Sequence, residues 1–101
     1  MNQKESKSKL LDLDEFRKKI DECDEEIVRL LNARASCARE IGNIKNELGV
    51  ATYQPTREQV VLEHVGSRNE GPLKNDAITR VFKAIIDESR KLEGVSNDEK
   101  V

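Results

Sequence analysis

Apolar residues spaced alternately three and four apart run through the first half of the chain: Leu13, Phe16, Ile20, Cys23, Ile27, Leu30, Cys37, Ile41, Ile44 and Leu48. That spacing is the heptad signature of one long helix whose seam is buried against another helix. Arg34 occupies the seam position between Leu30 and Cys37. A guanidinium there either packs its stem and sends its head to solvent, or marks a place where the seam opens into a polar pocket. Lys45, eleven residues on, falls about three turns later and so on nearly the same side of the helix. Two cations on one side favour the pocket, and make it an anion site. A helix of about 36 residues ending at Leu48 is about 54 Å long, beyond the diameter of a compact domain of this size. Its stripe therefore needs cover from outside the chain, and antiparallel pairing with the same helix of a second copy, a twofold dimer, supplies it.

The rest of the chain is read as two shorter helices. Residues 1–10 are polar without periodicity and are expected to be a disordered leader. The main domain is expected to span 11–94. Asp12 as N-cap, Glu15 three residues on and the Leu11/Phe16 pair form a capping box with its staple, which predicts the start of helix one at Asp12. Gly49 suits the left-handed residue after its last turn, and Gly42 inside it is a local cost of about 1 kcal/mol. Pro55 fits the first position of a second helix carrying Val60, Val61, Leu62 and Val65, with Gln54 a weak cap in front of it. The run Ser67 to Pro72 breaks the pattern. A third helix is predicted from Lys74 or Asn75, with Ile78, Val81, Phe82, Ile85, Ile86, Ser89 and Leu92 on its apolar side and its last turn near Glu93 and Gly94. Residues 95–101 are expected to be a polar tail. No strand-like alternation occurs, so the fold class is all-α.

Charge narrows the function. Lys and Arg number 18 against 20 Asp and Glu, for a net charge of -2, and the signs alternate without a basic block, which argues against broad nucleic-acid binding. No apolar run approaches the roughly 20 residues that span a bilayer, and the first residues lack the apolar centre of a signal peptide. A cytoplasmic protein is expected. Cys23 and Cys37 are about 21 Å apart along one helix, too far to bridge within a chain, and read as reduced packing residues. His64 has no partner at ligand or triad spacing and is assigned to the surface of helix two.

Four cations stand at informative places: Arg17, Arg34, Lys45, and Arg57 in the first turn of helix two, beside Glu58. Ser89 and Glu93 are four apart and share one face of helix three. Taken singly, each has a plain reading as a packed stem, a solvated charge or a helix-end residue. Taken together, the segments LDEFRKKIDECDEEIVRLLNAR, IGNIK, YQPTRE and ITRVFKAIIDESRKLE resemble the all-helical chorismate mutases of the AroQ class. The resemblance covers nearly the whole ordered length. The GPL turn and the closing SRKLE are most similar to the mutase domain fused to prephenate dehydratase in P-proteins.

The resemblance implies an intertwined antiparallel homodimer that converts chorismate to prephenate by a Claisen rearrangement, without metal, cofactor or covalent intermediate. It implies that Arg17 and Arg34 hold the two substrate carboxylates, and that Lys45 meets the ether oxygen and a carboxylate. Arg57 extends the cationic wall, Glu58 takes the ring hydroxyl, Ser89 helps fix the ring carboxylate and Glu93 faces the ether oxygen. The residue types suit the task. A flexible dianion has to be locked in a compact conformer while negative charge gathers on the breaking ether oxygen, and no nucleophile or general base is needed. Arg17 lies about 25 Å from Arg34 and about 42 Å from Lys45 along one helix, so one of the three is expected from a second copy, Arg17 from the partner chain.

Two positions depart from the family pattern. Gln54 stands where many relatives have Asp. Glu93 stands where many single-domain relatives have Gln; a carboxylate would repel the forming oxyanion, so only the protonated acid donates the needed hydrogen bond. Two rival functions remain open: an isochorismate pyruvate lyase on the same fold, and a non-enzymatic helical dimerisation module. A pure zipper would prefer an apolar residue at position 34.

Overall fold

In the computed structural model the described residues are 3–51 and 54–98, with side chains described as far as Glu93. They form three α-helices and no strand, as expected: α1 (Gln3–Leu48), α2 (Pro55–Arg68) and α3 (Asn75–Asp98). No helix among the described residues is long and apolar enough to cross a membrane.

The helix ends follow from local chemistry. Gly49 has φ +71°, its N–H donates to the Asn46 carbonyl at 3.3 Å, and the Val50 N–H donates to the Lys45 carbonyl at 2.9 Å. This is a Schellman turn, and it leaves Lys45 in the last turn of α1. Gln54 is extended at φ -130° and ψ 95°, its carbonyl accepting from the Arg57 and Glu58 N–H groups, while its side chain makes no cap. Pro55 opens α2 with a φ already suited to a helix. After α2 the Asn69 side chain organises the turn, its amide donating to the Leu73 carbonyl and to Asn75 Oδ1, both at 2.7 Å, and its oxygen accepting from the Gly71 N–H at 3.1 Å. The Lys74 carbonyl then accepts from the Ala77 and Ile78 N–H groups to begin α3.

Two boundaries differ from expectation. α1 begins at Gln3, so Asp12 is an interior residue and not a cap, and Gln3–Leu10 belong to the helix. The reason is composition: Gln, Lys, Glu, Ser and Leu contain no breaker, and a capping-box pattern stops nothing when helix formers precede it. α3 runs to Asp98 and not to Gly94, because glycine permits a left-handed turn without imposing one and no proline follows. Met1, Asn2, residues 52 and 53 of the connection, and 99–101 of the expected tail lie outside the described residues.

The chain divides into two compact units, residues 1–32 and 33–101. The described residues of the first are helix alone. Phe16, Ile20, Ile27 and Leu30, from the apolar stripe, are all 50% or more exposed, and Lys19 Nζ sits over the Phe16 ring at 5.0 Å. The second unit holds the end of α1 with α2 and α3. Val61, Leu62 and Val65 of α2 and Ile78, Phe82, Ile85 and Ile86 of α3 are half-buried where those helices pack, while Val81, expected on the apolar side, is 52% exposed. Ala38, 6% exposed, and Gly42 are the buried residues of α1. Cys23 and Cys37 are free thiols and both are exposed, not packed as expected.

Candidate active site

Gly42 sets the geometry of the second unit. A Cβ built on it would meet Glu93 Cα at 3.0 Å, Cβ at 3.2 Å and Cγ at 3.3 Å, so α1 and α3 approach as closely as a missing side chain allows. Ala38, one turn earlier, continues the small-residue face. With the two backbones this close, long side chains on either flank reach across.

Arg34 and Lys45 of α1 both do so. Arg34 Nη1 donates to Ser89 Oγ at 2.5 Å, and the Ser89 hydroxyl donates in turn to the Ile85 carbonyl at 3.0 Å. Lys45 Nζ lies 3.4 Å from Glu93 Oε2, with both side chains mostly buried. At that length the pair is looser than the roughly 2.8 Å of a strong charge-assisted bond, so the ammonium is held near the carboxylate without being locked to it. From the other side the first turn of α2 brings Arg57, exposed, and Glu58, half-buried. Glu58 Oε2 accepts from Arg90 Nη2 of α3 at 3.0 Å, and the same nitrogen reaches Asp87 Oδ1 at 3.1 Å.

These side chains line one pocket of about 390 Å³, within the range of small-molecule sites. Arg34, Lys45, Gln54, Arg57, Glu58, Ser89, Arg90 and Glu93 supply its polar wall; Cys37, Ala38, Ile41, Val61 and Ile86 supply the rest. Four cations face two carboxylates, an excess of two positive charges that complements a dianion of small size. The donors are of the right kind, guanidinium forks for planar carboxylates and an ammonium for a single oxygen.

Six of the seven residues singled out from the sequence, Arg34, Lys45, Arg57, Glu58, Ser89 and Glu93, come together here. The seventh, Arg17, lies in the first unit and is exposed on α1. Ser89, expected at a ligand carboxylate, holds the Arg34 guanidinium. Sequence reasoning missed Arg90 and underweighted Gly42 and Gln54. A lone glycine inside an otherwise unbroken helix, four residues after an alanine, is the signal that marks Gly42 as a close approach. Arg90 carries no such signal, since its i,i+3 pairing with Asp87 looks like any solvated helix face.

Residues 16–94 match the family model for chorismate mutase type II. The chain is 36% identical over 83 residues to the bifunctional chorismate mutase/prephenate dehydratase of Pseudomonas aeruginosa, a match covering 77% of this chain and 23% of that protein. It spans about a quarter of the length of such bifunctional relatives; the match to the one from Aquifex aeolicus, 37% identical, covers 81% of this chain and 24% of that protein. With the chorismate mutase of Methanocaldococcus jannaschii it shares 32% identity over 82 residues, 80% of this chain and 83% of that one. Among solved structures, a chorismate mutase from Thermus thermophilus superposes with a TM-score of 0.80 at 36% identity, covering 81% and 93% of the two chains. The chorismate mutase from Helicobacter pylori in complex with prephenate gives 0.78 at 31% identity, covering 86% and 94%.

Proposed function

Because the chain belongs to the type II chorismate mutase family, we propose that its pocket isomerises chorismate to prephenate. The observation that carries this reading is the convergence of Arg34 and Lys45 of α1, Arg57 and Glu58 of α2, and Ser89 and Glu93 of α3 on one pocket with two surplus positive charges. Chorismate is a dianion whose two reacting termini must be brought face to face. Arg34 takes one carboxylate through its guanidinium, backed by Ser89, and the ring carboxylate lies toward Arg57. Glu58 accepts the ring hydroxyl. With three anchor points the flexible enolpyruvyl arm is held over the ring in the compact conformer, and the remaining barrier is that of the bond exchange itself.

As the ether C–O bond breaks, charge grows on its oxygen. Lys45, held 3.4 Å from Glu93 Oε2, donates to that oxygen, and Glu93 faces it from the ammonium's own side. Donors fixed in a largely buried site require no reorganisation as the charge appears, and one such donor contributes about 100-fold or more in rate. The reaction is an intramolecular electron-pair shift, so no proton has to leave the substrate.

Arg17 of a second copy is read as the anchor for the other carboxylate, in an antiparallel homodimer. Two features support this. The apolar stripe of residues 1–32 is exposed in the single chain, and a lone chain that buries so little is marginal at this size. The cytosol is the compartment that suits two free thiols.

The decisive assay is loss of chorismate absorbance on mixing with purified protein. Wild type is expected to consume chorismate, and Arg34→Ala to lose about 100-fold or more in kcat/KM at unchanged helical content. Failure of wild type to consume chorismate, or full activity of Arg34→Ala, refutes the assignment.

A further inference from the structure

We propose that Arg90 is a positioning residue for the hydroxyl subsite: it grips one oxygen of the Glu58 carboxylate from the pocket wall, so that the other is presented to the substrate at a fixed angle. This rests on the reading above, in which Glu58 takes the ring hydroxyl of chorismate. Arg90 and Glu58 are 32 residues apart and come from different helices, yet Arg90 Nη2 lies 3.0 Å from Glu58 Oε2. The same nitrogen donates to Asp87 Oδ1 at 3.1 Å. Side-chain exposure falls along this chain of charges, from 59% at Asp87 through 37% at Arg90 to 23% at Glu58. The network therefore runs from solvent to the pocket, and its inner end is the group assigned to the substrate.

The pairing is too exposed to add much stability, so its value lies in direction. Glu58 stands in the first turn of α2, where the helix dipole already favours a carboxylate, and charge alone does not require Arg90. An unpaired Glu side chain has three rotatable bonds and would sample several orientations; a guanidinium at one oxygen selects one. Asp87, one turn before Arg90 on α3, steadies the guanidinium in its turn. The ring hydroxyl is present both in bound substrate and in the transition state, so a misdirected Glu58 weakens both alike. The predicted loss is in KM, with kcat nearly untouched.

The test uses the whole chain and chorismate. Arg90→Met keeps the aliphatic stem and removes the fork. KM is expected to rise about tenfold, the size of one hydrogen bond to a charged group, with kcat within about twofold. Arg90→Lys, which retains a donor, should recover most of the loss. In a Glu58→Gln background, adding Arg90→Met should change KM by less than about twofold, because the group it acts through is gone. Calorimetric titration with prephenate repeats the comparison without turnover.

A fall in kcat at unchanged KM means a smaller folded fraction and overturns the proposal. A tenfold loss that persists in the Glu58→Gln background also overturns it, since Arg90 would then touch the substrate itself. Wild-type protein that leaves chorismate unconsumed refutes the assigned function, a failure distinguishable from both.

Discussion

Replacing Gly42 by alanine tests the close approach on which the pocket depends. The new Cβ would stand 3.0 Å from Glu93 Cα and 3.2 Å from its Cβ, whereas carbon atoms in ordinary contact are about 3.5–4.0 Å apart. Rotating a side chain cannot relieve a clash with a backbone atom, so α3 must move by a few tenths of an ångström. Alanine gains about 1 kcal/mol of helix propensity, and overpacking costs about 1–3 kcal/mol. The net change lies between about zero and about 2 kcal/mol of destabilisation, a fall in Tm of up to about 16 °C. Activity is affected more, because Glu93 and the Lys45 ammonium beside it shift together, and a misplacement of about 1 Å costs about 100-fold. Chorismate consumption should therefore fall about 3- to 10-fold in kcat/KM in a protein whose circular dichroism is unchanged. Gly66→Ala is the control: its Cβ would meet Asn75 Nδ2 at 3.8 Å, an ordinary contact, so it should raise stability by about 0.5–1 kcal/mol with activity intact. Should Gly42→Ala be fully active and more stable by the whole propensity gain, the two helices do not meet as described.

Three further outcomes are expected. Glu93→Gln, whose amide can donate to the ether oxygen, should keep or raise kcat, and Glu93→Ala should lower it about 10- to 100-fold; full activity of Glu93→Ala would remove Glu93 from that place. Gln54→Ser supplies the cap that α2 lacks and should add about 1 kcal/mol, seen as a Tm higher by about 4–8 °C, unless the extended Gln54 backbone does not in fact precede the first turn. Finally, Arg17→Ala and Arg34→Ala should each be nearly inactive alone. Unfolded together and refolded at equal amounts they should regain about a quarter of wild-type activity, since half the dimers are mixed and each mixed dimer has one intact site. No recovery would place Arg17 outside the partner's site.

What the sequence reveals depends on whether the cause is local. Gly49 and Pro55 announce the end of α1 and the start of α2 because a left-handed turn and a fixed φ are properties of single residues. The start of α1 is misplaced by its local pattern because Asp12 with Glu15 is a sufficient cap only where the preceding chain is not itself helical. Arg34 and Lys45 are legible as a pair from helical periodicity, and their meeting with Ser89 and Glu93 follows from the resemblance of spacing across three helices. Glu58 with Arg90 and Gly42 with Glu93 are not legible. Each joins residues from different helices, and nothing in the neighbourhood of either partner announces the other.

The Ser89 hydroxyl spends its only proton on the Ile85 carbonyl, and what remains for Arg34 is a lone pair. A long, freely rotating arginine is thereby halted before any anion arrives. Stilling such a side chain at the moment of association would otherwise subtract about 0.5–1.5 kcal/mol from affinity. The serine thus acts in advance of the encounter, and its removal should register in calorimetry as a less favourable entropy of association.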